Sequence, residues 1–120
     1  MGLTYTPVRV LGTQGKSAVY QLLVDTGPVF TWIDKNALAE LGIQPKGNKK
    51  FRTIEGREIT TQYGETTLEI EGESATRIVV FGEEGDASVL GADSLEGLGF
   101  EVDATSKKLK KLEAFAAYKV

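Results

Sequence analysis

With 120 residues and 41% hydrophobic content, the chain suits one compact domain, residues 1–120, with a modest core. It contains no Cys and no His, which excludes disulfides, the usual zinc ligands and the Ser/His/Asp and Cys/His hydrolases, and makes carboxylates the obvious acid–base candidates. The net charge of -3 gives no overall basic excess that would indicate a nucleic-acid partner. No segment approaches the roughly 20 apolar residues that span a bilayer, so we expect a cytoplasmic protein without membrane contact. We also expect no metal or other cofactor, since Cys and His are absent.

Short β-rich segments separated by glycine turns dominate the chain. This pattern predicts an all-β fold with mainly antiparallel pairing. The segments are "TYTPVRVLG", "SAVYQLLVD", "FRTIEG", "REITTQYGETTLEIEG" and "TRIVVFG".

The second of these segments ends in a carboxylate. Asp25 follows Leu22, Leu23 and Val24 and precedes Thr-Gly-Pro. A solvated turn is the simplest interpretation, because Asp, Thr, Gly and Pro are all common turn formers. Evidence for a catalytic Asp25 therefore has to come from other parts of the chain.

A tight hairpin is predicted around "TIEGREI", residues 53–59. Its Glu55-Gly56 tip supplies a residue that tolerates positive φ. An ordinary structural hairpin is the alternative to a functional one.

Two segments, "DKNALAELG" and "ADSLEGLG", predict short helices that end at Gly42 and Gly99. In both, two leucines three residues apart precede the glycine, which suggests two half-units of strand, glycine turn and short helix. A chance match is the alternative for so short a pattern.

The C-terminal tail, residues 108–120, combines lysines with apolar residues spaced three apart. The spacing is compatible with a basic amphipathic helix, or with a strand that carries apolar side chains to a subunit interface. The apolar residues are Leu109, Leu112, Phe115 and Tyr118.

In combination, these features resemble the retropepsin-like aspartic proteases, and in particular their small prokaryotic members. The resemblance rests on the apolar triplet before Asp25-Thr26-Gly27, the hairpin, and Val89-Leu90-Gly91 running into a short helix. It covers about residues 8 to 112. It implies a closed β-barrel with one or two short helices, a homodimer, and hydrolysis of peptide or unfolded protein substrates.

The resemblance also implies roles for individual residues. The catalytic residues would be Asp25, which forms a dyad with its copy in the second protomer, Thr26, which hydrogen-bonds across the dimer axis, and Gly27, whose N–H approaches the carboxylates. Apolar substrate pockets would be lined partly by Val29, Phe30, Ile54 and Val89, although core packing is the alternative for these four and the favoured one at Val89. The substrate-binding set is Pro28, Val29, Phe30, Ile54, Glu55, Gly56, Val89, Leu90 and Gly91.

The chain departs from the family pattern at three positions. Viral members pair an acidic residue with an Arg at the positions that Val29 and Ala92 occupy here. Pro28 has neither a hydroxyl nor an N–H with which to stabilise a charged carboxylate. These departures leave open a second hypothesis, a binding or dimerisation module with weak or no activity. A third, a nucleic-acid-associated β-barrel, depends only on "KKLKKL".

Overall fold

The computed structural model describes residues 4–115, and in that range the fold is mostly β with two short helices. The prediction of a β-rich chain with one or two short helices is therefore confirmed. The elements in chain order are β1 Tyr5–Leu11, β2 Ser17–Val24, β3 Thr31–Asp34, α1 Lys35–Glu40, β4 Gly47–Arg52, β5 Glu58–Ile70, β6 Glu73–Gly82, β7 Val89–Leu90, α2 Ala92–Gly97, β8 Phe100–Val102 and β9 Leu109–Lys111.

Seven of the strands form one sheet, in the order β1-β2-β7-β3-β6-β5-β4. Most of its neighbours are antiparallel, as predicted, but β2 with β7 and β3 with β6 are parallel. β1 pairs with β5 as well as with β2, through residues 9–11 and 67–69. The sheet therefore curves back on itself and encloses one of its faces.

The enclosed face is apolar because side chains alternate along each strand. In β1, Thr6, Val8 and Val10 are buried while the residues between them are exposed. Fully burying one Val, Leu, Ile or Phe side chain stabilises the fold by about 1.5–3 kcal/mol. The core cluster consists of Val8, Val10, Leu22, Ile33, Leu38, Leu41, Ile43, Leu68, Ile70, Val79, Phe81, Leu90, Leu95, Leu98 and Phe100.

Both predicted helices form, and each is followed by its predicted glycine. Gly42 has φ +78° and Gly99 has φ +86°, backbone conformations that favour glycine because a Cβ is strained there. The leucines spaced three apart face the core and are all buried. Among the described residues, no helix is both long and apolar enough to cross a membrane.

The strands that precede Asp25 and Gly91 are neighbours in the sheet. β2 and β7 pair in parallel, with Leu23 opposite Val89 and Val24 opposite Leu90. Because both strands end at the same edge, Asp25 and Gly91 emerge side by side. The β2–β7 register therefore brings the Asp25 loop next to Gly91 and the start of α2, which together form part of the candidate site.

The predicted hairpin joins β4 to β5. Strand pairing extends to Arg52 opposite Glu58, and residues 53–57 form the turn. The Thr53 N–H donates to the Arg57 carbonyl at 2.8 Å, and the Gly56 N–H donates to the Thr53 carbonyl at 2.9 Å. Gly56 has φ +86°, and Ile54 is fully exposed at the tip.

Residues 109–111 of the tail form a strand, so the helix alternative is wrong for them. β9 pairs with β8, with Leu109 opposite Val102 and Lys111 opposite Phe100. The Leu112 N–H then donates to the Gly99 carbonyl at 2.8 Å, which holds the tail against the end of α2. Tyr118 lies outside the described residues, and an interface role for the tail stays a prediction.

We expect the turn between β8 and β9 to make stability depend on pH. The Asp103 Oδ1 accepts hydrogen bonds from the backbone N–H groups of Thr105 and Ser106 at 2.8 and 2.9 Å. These bonds, that of Ser106 first, lower the pKa of Asp103 below its ordinary value of 3.8. The carboxylate therefore stabilises the fold above pH 3.8, and this contribution is lost as the pH falls through the lower folded pKa.

Asp103→Ala should consequently lower the urea midpoint at pH 7, and its difference from wild type should shrink in acid. Glu84→Ala, which removes an exposed carboxylate, serves as the control and should show no such convergence. A gap between Asp103→Ala and wild type that stays constant from pH 7 to about pH 2 would contradict the assignment.

Candidate active site

Asp25 lies at the end of β2, where the chain leaves the sheet. Its backbone N–H donates to the Leu90 carbonyl at 3.1 Å and so continues the parallel pairing with β7 by one residue. Its side chain is exposed, whereas Leu22, three residues earlier, is fully buried. The strand therefore anchors the backbone of Asp25 and leaves the carboxylate accessible to solvent and ligands.

The residues after Asp25 fold closely around its carboxylate. The Gly27 N–H donates to the Asp25 Oδ1 at 2.9 Å. A Cβ on Gly27 would lie 3.2 Å from the same oxygen, which is tighter than an ordinary van der Waals contact. Thr26 is exposed next to them. The carboxylate is thus oriented by its own loop, and glycine permits the close approach.

The loop of residues 25–30 is held by the start of α2. The Ala92 N–H donates to the Pro28 carbonyl at 3.0 Å, and the Asp93 N–H donates to the Val29 carbonyl at 2.8 Å. Backbone hydrogen bonds at Val29 and Ala92 therefore connect the two segments, at two positions that carry no charge.

Gly91 lies directly beneath this loop. A Cβ at Gly91 would lie 2.4 Å from the Phe30 carbonyl oxygen and 2.9 Å from that of Val29. Both contacts are with backbone atoms, so the neighbours cannot relieve them by changing rotamer. Only glycine allows the backbone at position 91 to approach the loop this closely without moving it.

A buried hydroxyl pair lies behind the loop, and the sequence did not identify it. The Thr31 hydroxyl donates to the Ser94 Oγ at 2.7 Å and accepts from the Gly91 N–H at 3.0 Å. Both side chains are fully buried. The detectable signal was a polar residue beginning the apolar strand "TWI" and another inside α2, but neither could be paired without the tertiary structure.

Thr31→Val should destabilise the fold by about 1–3 kcal/mol, because it leaves the Ser94 hydroxyl and the Gly91 N–H buried without this partner. Thr31→Ser retains the hydroxyl and should recover most of the loss. Thr6→Val, a swap at another buried threonine, is the matched control. Urea unfolding measures the effect, and equal midpoints for Thr31→Val and Thr31→Ser would contradict it.

An open cleft of about 960 Å³ separates the Asp25 loop from the β4–β5 hairpin. Of the residues that the sequence singled out, it is lined by Asp25, Gly27, Pro28, Val29, Phe30 and Ile54. The lining also includes residues that the sequence did not identify as site residues: Trp32, Lys49, Lys50, Phe51, Arg52, Thr53 and Ile59.

The remaining predicted residues lie outside this lining. Glu55 and Gly56 are exposed at the hairpin turn. Val89, Leu90 and Gly91 are buried behind the Asp25 loop. They support the loop from behind, Val89 and Leu90 from within the sheet and Gly91 at the end of β7.

Aromatic contacts connect the two sides of the cleft. The Phe51 ring packs edge-on against Trp32 with a centroid distance of 5.0 Å, and against Phe30 with a distance of 6.5 Å. Lys49 extends above the same cluster, with its Nζ 5.7 Å from the centre of the Phe30 ring. These contacts place β4 opposite the Asp25 loop.

No group of three or more acidic side chains suited to a metal ion occurs within residues 4–115. The candidate site combines one accessible carboxylate, a loop held from behind, and an apolar cleft.

A family model described as "gag-polyprotein putative aspartyl protease" matches residues 13–97 of the chain. The match includes the Asp25 loop, the β4–β5 hairpin and the segment from Gly91 through α2. Among curated proteins, none matches the sequence.

Proposed function

Because the chain belongs to the gag-polyprotein aspartyl protease family, whose model covers most of its length, we propose that it is an aspartic endopeptidase. The observation that carries the proposal is the position of Asp25. Its accessible carboxylate faces an apolar cleft, and its loop is fixed by Gly91 and the start of α2. The same arrangement of strands, in which β1 pairs with both β2 and β5, supports a closed barrel.

A homodimer would supply the second carboxylate. Each chain carries one Asp-Thr-Gly sequence, and peptide hydrolysis of this type uses two carboxylates that face one water molecule. A two-fold axis beside the exposed residues Asp25 and Thr26 would bring Asp25 and its copy together. Two-fold dimers are the commonest symmetric assemblies of soluble proteins.

The dyad would work by shared acid–base catalysis. Two adjacent carboxylates do not both ionise easily, so together they retain one proton. The ionised Asp25 takes a proton from water as the water oxygen attacks the peptide carbonyl carbon, and the protonated one donates to the carbonyl oxygen. As the tetrahedral intermediate collapses and its C–N bond breaks, the carboxyl group that took the water proton donates it to the amine nitrogen. The other, now ionised, carboxylate takes a proton from a hydroxyl of the intermediate, which restores the singly protonated dyad.

The substrate would be an extended peptide that lies between the Asp25 loop and the hairpin. Extended peptides bind through strand-like backbone hydrogen bonds, while alternate side chains enter pockets. Val29, Phe30 and Ile54 line this space, and the exposed hairpin tip at Ile54 to Gly56 would cover the bound peptide. The test is digestion of a diverse peptide library by the wild-type protein beside Asp25→Asn.

The same experiment separates the endopeptidase from a binding or dimerisation module of the same fold. Pro28 supports that second function, since it can give the carboxylate no N–H donor. If neither protein cleaves the library but both dimerise and bind the same partner, the module is the better description.

A further inference from the structure

The cleft is locally basic in a chain that is acidic overall. The chain has a net charge of -3, yet the charged residues of the cleft are three cations, Lys49, Lys50 and Arg52, and one carboxylate, Asp25. All three cations belong to β4, where Lys49 shares a face with Phe51, and Lys50 and Arg52 are exposed on the alternate face. A peptide in the cleft would therefore experience positive potential along one wall.

Two of these cations are available to a ligand. Arg52 is already paired with Glu58 on the neighbouring strand, at 3.2 Å. Within residues 4–115, neither Lys49 nor Lys50 takes part in a salt bridge. Their partners across the hairpin are Thr61 and Thr60, which carry no charge.

Lys49 is also held in place. It is half-buried, and its Nζ lies 4.4 Å from the centre of the Tyr63 ring and 5.7 Å from that of Phe30. An ammonium group packed over aromatic faces is partly ordered, so less entropy is lost when it pairs with an anion.

The spacing along β4 sets the distance between the Lys49 ammonium group and the aromatic cluster around Phe51. Lys49 and Phe51 are two residues apart on the same face of β4, so their side chains are separated by roughly 7 Å along the strand. An extended peptide alongside β4 has the same repeat. A large apolar side chain beside Phe51 would place the side chain two residues away beside Lys49.

We propose that the cleft selects extended peptides in which a large apolar side chain is separated by two positions from Asp or Glu. This inference rests on the proposed endopeptidase function and names its substrate class. The apolar side chain contacts Phe30 and Phe51, and the acidic one pairs with Lys49, with Lys50 adding to the local potential.

The test uses fluorogenic decapeptides with one Phe and with Glu, Gln or Lys two positions before it, and a second series with the change two positions after it. In at least one series kcat/KM should be about 3- to 10-fold higher for Glu than for Lys, since each partly exposed pair contributes modestly. The ratio should fall when NaCl is raised from 50 mM to 0.5 M.

Lys49→Met keeps an unbranched side chain over the rings but removes the charge, and should bring the Glu-to-Lys ratio close to one. Lys50→Met, at an exposed position, should lower it less. Lys16→Met, an exposed lysine in the turn between β1 and β2, is the matched control and should leave it unchanged.

The outcomes distinguish this inference from the proposed function. Equal cleavage of the Glu, Gln and Lys peptides would overturn the acidic preference and leave the endopeptidase intact. If no peptide is cleaved, the endopeptidase proposal fails. The acidic preference is then tested by the fluorescence anisotropy of peptides with the same sequences, labelled with fluorescein, on binding to Asp25→Asn. Tighter binding of the Glu peptides would then support it, and equal anisotropy curves would overturn it.

Discussion

Asp25→Asn is expected to reduce kcat/KM for peptide cleavage by about 10³- to 10⁴-fold, because an amide can neither take a proton from water nor donate one as a carboxylic acid. The fold should survive the change. The Asn amide oxygen can still accept the Gly27 N–H that the Asp25 Oδ1 accepts, and the position is exposed.

Initial rates on one cleavable peptide, with matched circular dichroism spectra and urea midpoints, measure the effect. Asp86→Asn is the control, since Asp86 is an exposed aspartate in the loop between β6 and β7 and its amide can still accept the Glu83 N–H. Retention of more than about a tenth of wild-type kcat/KM in Asp25→Asn would show that the cleavage does not depend on this residue.

Mixing the two proteins extends this prediction to the dimer. With a ninefold excess of Asp25→Asn and free exchange of subunits, about one tenth of the wild-type copies would pair with another wild-type copy. If each dimer needs both carboxylates, the activity per wild-type copy should fall to about one tenth of its value in the unmixed protein. Undiminished activity, in a mixture shown by sedimentation to exchange subunits, would contradict the hypothesis that catalysis needs Asp25 from both protomers.

Gly91→Ala is expected to damage both the fold and the site. Its Cβ would lie 2.4 Å from the Phe30 carbonyl oxygen, and the two segments are held together by the Ala92 N–H, which donates to Pro28, and the Asp93 N–H, which donates to Val29. Overpacking against backbone should cost about 3 kcal/mol of unfolding free energy. Displacing the Asp25 loop by about 1 Å should lower kcat by roughly 10²-fold.

Urea unfolding and peptide kinetics test these two effects separately. Gly82→Ala is the matched control, because Gly82 is also buried but its Cβ would meet nothing closer than 3.5 Å. It should change the unfolding free energy by less than about 1 kcal/mol. Similar stability and activity for the two variants would mean that the close approach of Gly91 to the Phe30 carbonyl is not needed to position the loop.

Local sequence patterns were sufficient for much of the fold. Alternating burial in β1 follows from a period of two, and leucines three apart followed by glycine correctly located α1 and α2. The Gly56 turn also follows from local chemistry, since its positive φ is a property of a few neighbouring residues. These features depend on short-range sterics, which the order of residues along the chain largely determines.

The tail shows where local patterns were insufficient. Leu109 and Leu112 have helical spacing, but residues 109–111 form β9 because β8 offers them backbone partners. Such pairing is decided by a strand elsewhere in the chain. Spacing along the sequence therefore allowed both conformations.

The candidate site combines both kinds of information. The sequence by itself predicted Asp25 and Gly27 as site residues, and it predicted the hairpin. Only the tertiary structure showed that Gly91 lies beneath the Phe30 carbonyl and that the Thr31 hydroxyl bonds Ser94. It also brought Lys49 and Phe51 to face the Asp25 loop. Contacts of this kind join residues distant along the chain, and they form only when the curved sheet brings β2, β7 and β4 around one cleft.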